Sequence, residues 1–308
     1  MIDLHTHSSI SDGDLSPDIL IGQAAKQGLT ALALTDHDTI KGLEIAENAA
    51  KSLDNFRFIP GIEVNISWAG NRTVPGLGPG GEFHLLGLGI NSPSPAFNAA
   101  VEELARRRAA RNMEILNRMH ELSIEATWEE LLAIAGKSND VSGGKGGSSS
   151  DQRGCSIGRP HFAALLIKRK IVKNTSQAFA RYLGVGKPLY VPKEGLLFEE
   201  AVSLIRGCGG IPVLAHPISL YVAWGRLPDL IKILKDMGLM GLEAWHPTAK
   251  SSACRRLEAL AQSLELYVTE GSDYHGAIRP DRKLGYSGKS RKINETILEA
   301  IPELISNR

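Results

Sequence analysis

Most of the nine histidines in this 308-residue chain stand where a short apolar run ends, and those runs alternate with stretches of helical period. No other feature constrains the fold as much, because strand ends in an alternating β and α chain converge on one mouth. Ile2-Asp3-Leu4-His5-Thr6-His7 reads as a strand, and His5 and His7, two apart, point to one face. Ser16 as cap, Pro17 at the first helical position and Gly28 as terminator frame a helix. Leu29 to Leu34 is a buried parallel strand that stops at Thr35-Asp36-His37-Asp38, and a helix follows from Ile40 to Lys51 with Asp38 or Thr39 as its cap. Phe56 to Ile59 and Ile62 to Ile66 form a third strand region that contains Glu63, and His84 opens a fourth at Leu85 to Ile90. The glycine-rich Ala69 to Gly81 between them is a loop or hairpin tip. Strands at Ile211 to Ala215, Leu239 to Trp245 and Leu266 to Thr269 follow, separated by helices at Phe198 to Arg206, Pro228 to Met237 and Ala253 to Ser263. The pattern predicts an α/β fold with a parallel sheet, open or closed into a barrel.

The middle of the chain breaks the alternation. Pro95 to Leu122, Trp128 to Ala135, Pro160 to Lys168 and Thr175 to Leu183 are helical, which predicts an inserted helical subdomain. The division expected is residues 1–91 as the first part of the main fold, 92–184 as the insertion and 185–308 as the second part. Gly136 to Gly158, rich in Gly and Ser, is expected to be a mobile loop.

Thirty-five Lys and Arg against thirty-four Asp and Glu leave a formal charge of +1, which disfavours stable binding of long nucleic acids. No apolar run approaches the roughly 18 residues of a membrane helix, and the start lacks the pattern of a signal peptide, so a cytoplasmic protein is expected. Cys155, Cys208 and Cys254 are odd in number and far apart, which suits a reducing compartment. Metal chemistry must then come from imidazoles and carboxylates. His5, His7, His37, His84, His216 and His275 with Asp12, Glu63 and Asp273 suit two or three Zn, Mn or Fe ions. Any one of these histidines alone reads as an ordinary hydrogen-bonded group. Their recurrence at successive strand ends is what points to a metal site.

The phrases His5-Thr6-His7, Asp12-Gly13, Leu34-Thr35-Asp36-His37-Asp38, Gly61-Ile62-Glu63, His84-Leu85-Leu86-Gly87, Leu214-Ala215-His216-Pro217 and Ser272-Asp273-Tyr274-His275 resemble the ordered motifs of the PHP (polymerase and histidinol phosphatase) family, over residues 1 to about 276. That resemblance implies a distorted seven-stranded β/α barrel, carrying here the helical insertion, and a trinuclear metal centre that hydrolyses phosphoesters. It places His5, His7, Glu63 and Asp273 on one ion, Glu63, His84 and His216 on a second, and Asp12, His37 and His275 on a third. Gly158-Arg159-Pro160-His161, Gly186-Lys187-Pro188 and Gly241-Leu242-Glu243-Ala244-Trp245-His246-Pro247 are similar to the branch of 3′,5′-nucleoside bisphosphate phosphatases and 5′-to-3′ exoribonucleases.

Beyond the ligands, catalysis on a phosphate needs a proton donor and a basic clamp. Glu63, His37, His246 and Arg159 are the expected catalytic set, and Arg159, His161, His246 and Lys187 the expected substrate contacts. Arg159 offers the paired donors that match phosphate, weighed against an ordinary helix start. His246 is weighed as proton donor against a structural histidine, and Lys187 as phosphate contact against a solvated loop lysine. Asp36 and Asp38 resemble carboxylates that orient imidazoles. Arg106, Arg107, Arg108, Arg111 and Arg118 are balanced by Glu102, Glu103, Glu114 and Glu121, so their helix reads as a solvated, salt-bridged face with room for one arginine to reach the site. His120 reads as structural. The expected activity is removal of phosphate from a small nucleotide, with 3′,5′-bisphosphates favoured. The alternatives are a 5′-to-3′ exoribonuclease on short RNA, a silent metal-binding scaffold, and a metal-dependent amidohydrolase, against which the order of the motifs argues.

Overall fold

A computed structural model of the chain describes residues 1–68, 80–137, 157–288 and 291–306. The glycine-rich and Gly/Ser-rich segments read above as loops fall largely outside the described residues, as does Cys155; Cys208 and Cys254 are buried free thiols. Among the described residues no helix is long and apolar enough to cross a membrane.

Seven strands follow one another in a single curled path: β1 (Ile2–Thr6), β2 (Ala31–Leu34), β3 (Arg57–Ser67), β4 (His84–Leu88), β6 (Ile211–Leu214), β7 (Gly241–Trp245) and β8 (Tyr267–Glu270). A two-residue strand, β5 (Leu196–Leu197), pairs parallel with the end of β3. β1, β2, β4, β6 and β7 are buried along their whole length, as expected for strands covered on both faces. The path closes on itself where β1 meets the segment after β8: Asp273 N–H donates to His5 O at 2.9 Å and His7 N–H to Tyr274 O at 2.9 Å. The result is the distorted seven-stranded barrel.

One strand departs from the all-parallel reading. β4 runs antiparallel to both neighbours, with Glu63 opposite Leu86 on one side and Leu86 opposite Val213 on the other. A parallel crossover needs a connection of a dozen or more residues, usually a helix, and no helix is described between β3 and β4. The reversal matters for the site, because it brings the first residue of β4, His84, to the mouth where the other strands end.

Helix α1 (Pro17–Lys26) starts as read, with Pro17 in its first turn, but Ser16 Oγ donates to Asp18 Oδ1 and makes no cap bond. Gly28, at φ +80°, ends it, and Leu29 N–H donates to Ala24 O. Helix α2 (Leu43–Lys51) starts later than expected, with Gly42 in the cap position, so neither Asp38 nor Thr39 caps it.

Between β4 and β5 lie α3 (Pro95–Glu121), α4 (Trp128–Lys137), α5 (Arg159–Lys168), α6 (Thr175–Ala178) and a π-turn at Phe179–Leu183. These helices share an apolar cluster of their own that includes Ile115, Met119, Leu131, Phe162, Leu166 and Leu183. α3 belongs to two cores, since its Phe97 and Leu104 pack in the cluster formed with β3, β4 and α7 (Phe198–Gly207).

Candidate metal centre

The histidine-rich mouth is assembled from strand ends. β1 delivers His5 and His7, fully buried, with their Nε2 atoms 3.1 Å apart. Asp12 follows in a loop held down by Asp36, which accepts from Ser8 N–H, Ser8 Oγ and Ser11 Oγ. Gly13 is required there, because a Cβ would collide with the carbonyl of His7. Glu63 sits in the interior of β3, 1% exposed, and His37 reaches it by a bridge that continues the β2–β3 ladder. His216 follows β6, and Asp273 and His275 follow β8. Three non-glycine residues of this mouth hold positive φ, Asp38 at 53°, His216 at 28° and Asp273 at 51°, and strained backbone of this kind gathers at functional sites.

Glu63 occupies the centre, and its two oxygens look in different directions. Oε1 lies 2.9 Å from both His84 Nδ1 and His216 Nε2. Oε2 lies 2.9 Å from His37 Nδ1, 3.3 Å from His7 Nε2 and 3.4 Å from His5 Nε2. Asp273 Oδ1 is 3.2 Å from His7 Nε2, and Asp12 Oδ1 is 3.3 Å from His275 Nε2. Asp12, His37 and His275 gather with His7; His5 and His7 gather with Asp273; Glu63 gathers with His5 and His216 on one side and with His37 and His84 on the other. The expected grouping put His84 and His216 together with Glu63; here they fall in separate groups, and His5, His7, His37 and Glu63 each belong to two.

The donor set fits divalent cations. Ligands of one first-row ion at about 2.1 Å lie roughly 3.0–3.4 Å from one another, the spacing seen between these atoms. Asp12 Oδ1, His37 Nδ1 and Glu63 Oε2 are buried with no hydrogen-bond partner, which a buried polar atom tolerates only if something else satisfies it. Burial pushes the Glu63, Asp12 and Asp273 carboxyls up, yet the surrounding imidazoles outweigh it and hold all three well below the usual carboxylate range. Burial holds His84 down at about 4, so its ring is neutral at physiological pH.

Other groups hold the donors in place. Glu243, inward-facing on β7, accepts from His5 Nδ1–H at 2.9 Å and from His216 N–H at 2.7 Å. His216 Nδ1–H donates to Ser219 Oγ, which donates to Glu82 O, leaving Nε2 aimed at Glu63. Gly271 lies so close to His5 and Glu243 that a side chain there would strike both. Among the described residues neither Asp36 nor Asp38 hydrogen-bonds an imidazole directly: Asp36 secures the Asp12 loop, and Asp38 bonds Asn65 and Arg108. Sequence reasoning missed the role of Glu243, whose one signal is a carboxylate inside the apolar run Gly241 to Trp245. Arg282, 4% exposed, gave no signal at all.

A cavity of about 180 Å³ opens onto the centre, lined by Asp12, His37, Glu63, His84, His216, Asp273 and His275. The rest of its charged and aromatic lining is Arg108, Arg111, Arg159, Phe179, Lys193, Glu82 and Arg279. Arg159 lies on the cavity as expected, paired with Glu82, its guanidinium 5.7 Å from the Phe179 ring. Two arginines of α3 reach the cavity where room for one was read. They are in phase with Leu104 and Ile115, on the apolar stripe, whereas Arg107 and Arg118 pair with Glu103 and Glu114 on the outside. Burial, with Arg108 and Arg159 beside it, lowers Arg111 to about 10, which leaves it charged at neutral pH.

Three expected substrate contacts sit elsewhere. His246 is behind Asp273: its Nε2 lies 3.2 Å from Asp273 Oδ2 and 3.0 Å from Arg282 Nη1, and its ring does not line the cavity. His161 is spent on its own helix start, its Nδ1 accepting from Gly158 N–H. Lys187 is exposed in a turn away from the cavity; the lysine that lines the cavity is Lys193, its Nζ 3.2 Å from His84 Nε2. His120 Nε2 donates to Ala126 O, remote from the site. A larger depression of about 680 Å³ lies at the opposite strand ends, lined by residues such as Thr30, Arg57 and Glu303, and gathers no metal-ligating cluster among the described residues.

The PHP domain pattern matches residues 3–141. The chain is 32% identical over 273 residues to a 5′-3′ exoribonuclease of Haemophilus influenzae, covering 89% of each. The chain belongs to the PHP family. It is also 32% identical over 290 residues to a 3′,5′-nucleoside bisphosphate phosphatase of Chromobacterium violaceum, covering 93% of this chain and 91% of that one. A solved structure from Bifidobacterium adolescentis, assigned as a metal-dependent phosphoesterase, superposes with a TM-score of 0.77 at 26% identity over 99% of this chain and 96% of its own. As a PHP protein with this donor cluster, the chain is a metal-dependent phosphoesterase.

Proposed function

We propose that this PHP phosphoesterase removes a phosphate from a small nucleotide, with 3′,5′-nucleoside bisphosphates as the favoured substrates. The observation that carries the reading is a single cavity lined both by seven of the nine metal donors and by a set of fixed cations. His5, His7, Asp12, His37, Glu63, His84, His216, Asp273 and His275 would hold two or three ions of Mn, Fe or Zn, with Glu63 shared between them. Such ions lower the pKa of water from 15.7 to about 7 and neutralise charge on phosphoryl oxygens.

The chain's own residues orient and exclude. Glu243 fixes the tautomer and tilt of His5 and the backbone of His216; Arg282 and His246 fix Asp273. His246 is therefore a positioning residue in this reading, in place of a proton donor. Arg159 stands at the rim with Glu82, where a guanidinium can meet a phosphate with paired donors. The described helices within residues 92–184 act as a unit that supplies Arg108, Arg111, Arg159 and Phe179 to the cavity.

The second reading, a 5′-to-3′ exoribonuclease on short RNA, is supported by the name of the Haemophilus relative. The deciding experiment is an assay of the metal-reconstituted protein against mononucleotides, 3′,5′-bisphosphates, histidinol phosphate and 5′-phosphorylated RNA of increasing length. The proposal expects kcat/KM to peak at the bisphosphate. A rate that rises with RNA length would replace it with the exonuclease.

A further inference from the structure

Arg111 is the anomaly of the cavity. It lines the site yet is 9% exposed, its Nε is buried with no hydrogen-bond partner, and among the described residues no carboxylate pairs with it. A buried guanidinium left without a counter-ion is costly, and here its neighbours share its sign. Its place on the apolar stripe of α3 keeps it turned inward. Arg108 is already matched, Nη2 to Asp38 Oδ2 at 2.7 Å. Arg159 and Lys193 share one carboxylate, Glu82, whose side chain is about half exposed at the rim (47%). Arg279, a fifth cation on the cavity, pairs with Asp281, so five cations face three carboxylates, an excess of two positive charges, which is the charge of a phosphate dianion. Divalent ions on the metal donors would add repulsion across a cavity this small. Only an anion in the cavity relieves both.

We propose that Arg111, with Lys193 and Arg108 beside it, forms a second phosphate subsite that holds a nonreacting phosphate of the substrate while the metal centre takes the scissile one. The proposal rests on the phosphoesterase reading above and makes Arg111, the unpaired guanidinium, the specificity-determining residue. Arg159 is already engaged by Glu82 and plays the lesser part.

The test compares wild type, Arg111→Met and Arg111→Lys. Adenosine 3′,5′-bisphosphate and 4-nitrophenyl phosphate are assayed after metal reconstitution, and binding of the same bisphosphate and of inorganic phosphate is measured by calorimetry on chelator-treated protein. Arg111→Met should lower kcat/KM for the bisphosphate about thirtyfold more than for the aryl phosphate, chiefly through KM, the scale expected for charge-assisted bonds to one phosphate. Calorimetry should show weaker bisphosphate binding by about tenfold or more. Arg111→Lys, which keeps the charge and loses the fork, should fall between, and it carries the test if the Met variant fails to fold. Equal losses on both substrates, or binding unchanged by either variant, would overturn the subsite. If wild type hydrolyses neither ester the phosphoesterase reading falls instead, and the calorimetry still decides the subsite.

Discussion

Glu63 shows how much one residue can be asked to do. A carboxylate whose two oxygens each face a different set of imidazoles joins those sets, and an amide of the same volume would keep the shape while losing a bridging charge. Glu63→Gln should therefore abolish turnover and lower bound metal while far-ultraviolet circular dichroism stays unchanged; a variant with near wild-type rate would remove the bridge from the account. Asp38 makes a contrasting case, because its partner is a buried guanidinium. Asp38→Asn should cost about 3 kcal/mol in urea unfolding by leaving Arg108 charged and unpaired, and adding Arg108→Met should recover part of it. Most of the expected donors were legible in the sequence because they break, bound or closely follow an apolar run; Asp12, in the loop after β1, was marked chiefly by the family motif. The groups that aim them were not. Lys193 and Arg282 come from irregular segments whose course no periodicity fixes, and Asp36 and Asp38, placed correctly beside His37, turn out to grip a loop and an arginine.

Strands and helices carried their own signals, some of them misread. A histidine ahead of a strand reaches the same mouth as histidines behind other strands only if that strand runs the other way, so His84 already implied the reversal of β4. Likewise an arginine on the apolar stripe of an amphipathic helix is a buried arginine, and Leu104, Arg108, Arg111 and Ile115 step by four, three and four along α3. Charge balance over the whole helix hid this, since the outer Arg–Glu pairs cancel regardless of what faces inward. Because α3 packs into both the barrel core and the helical cluster, it also fixes the distance from its inward arginines to the metal donors. β7 contributes at the same scale through Glu243, the inward carboxylate that serves two histidines. Glu243→Gln should weaken metal affinity about 10–100-fold with the fold retained, as read by competition with a coloured chelator. Unchanged affinity would mean that His5 and His216 are aimed by packing alone.

At the level of the whole molecule, the metal centre lies on the seam where the barrel closes. His5 and His7 end the first strand, Asp273 and His275 follow the last, and the two segments are joined by backbone bonds between Asp273 and His5 and between His7 and Tyr274. Ions held by these residues would cross-link the two ends of the sheet, and they would bind the folded chain far better than the unfolded one. Binding of that kind stabilises by RT ln(1 + [L]/Kd), about 4 kcal/mol at a thousand times Kd. The donors must also be deprotonated to bind; the carboxylates around His5 and His7 raise both rings against the pull of burial, His7 to about 10, while burial holds His84 at about 4, so the gain should shrink steadily as the pH falls across that range. Chelation at pH 7.5 should therefore lower the urea midpoint and increase amide exchange first along β1 and the segment after β8. Reconstitution should restore both with two or three ions per chain by elemental analysis. At pH 5 the difference between loaded and chelated protein should be much smaller. A chelated protein as stable at pH 7.5 as the loaded one, with the seam equally protected, would show that the barrel closes on its backbone bonds and packing alone.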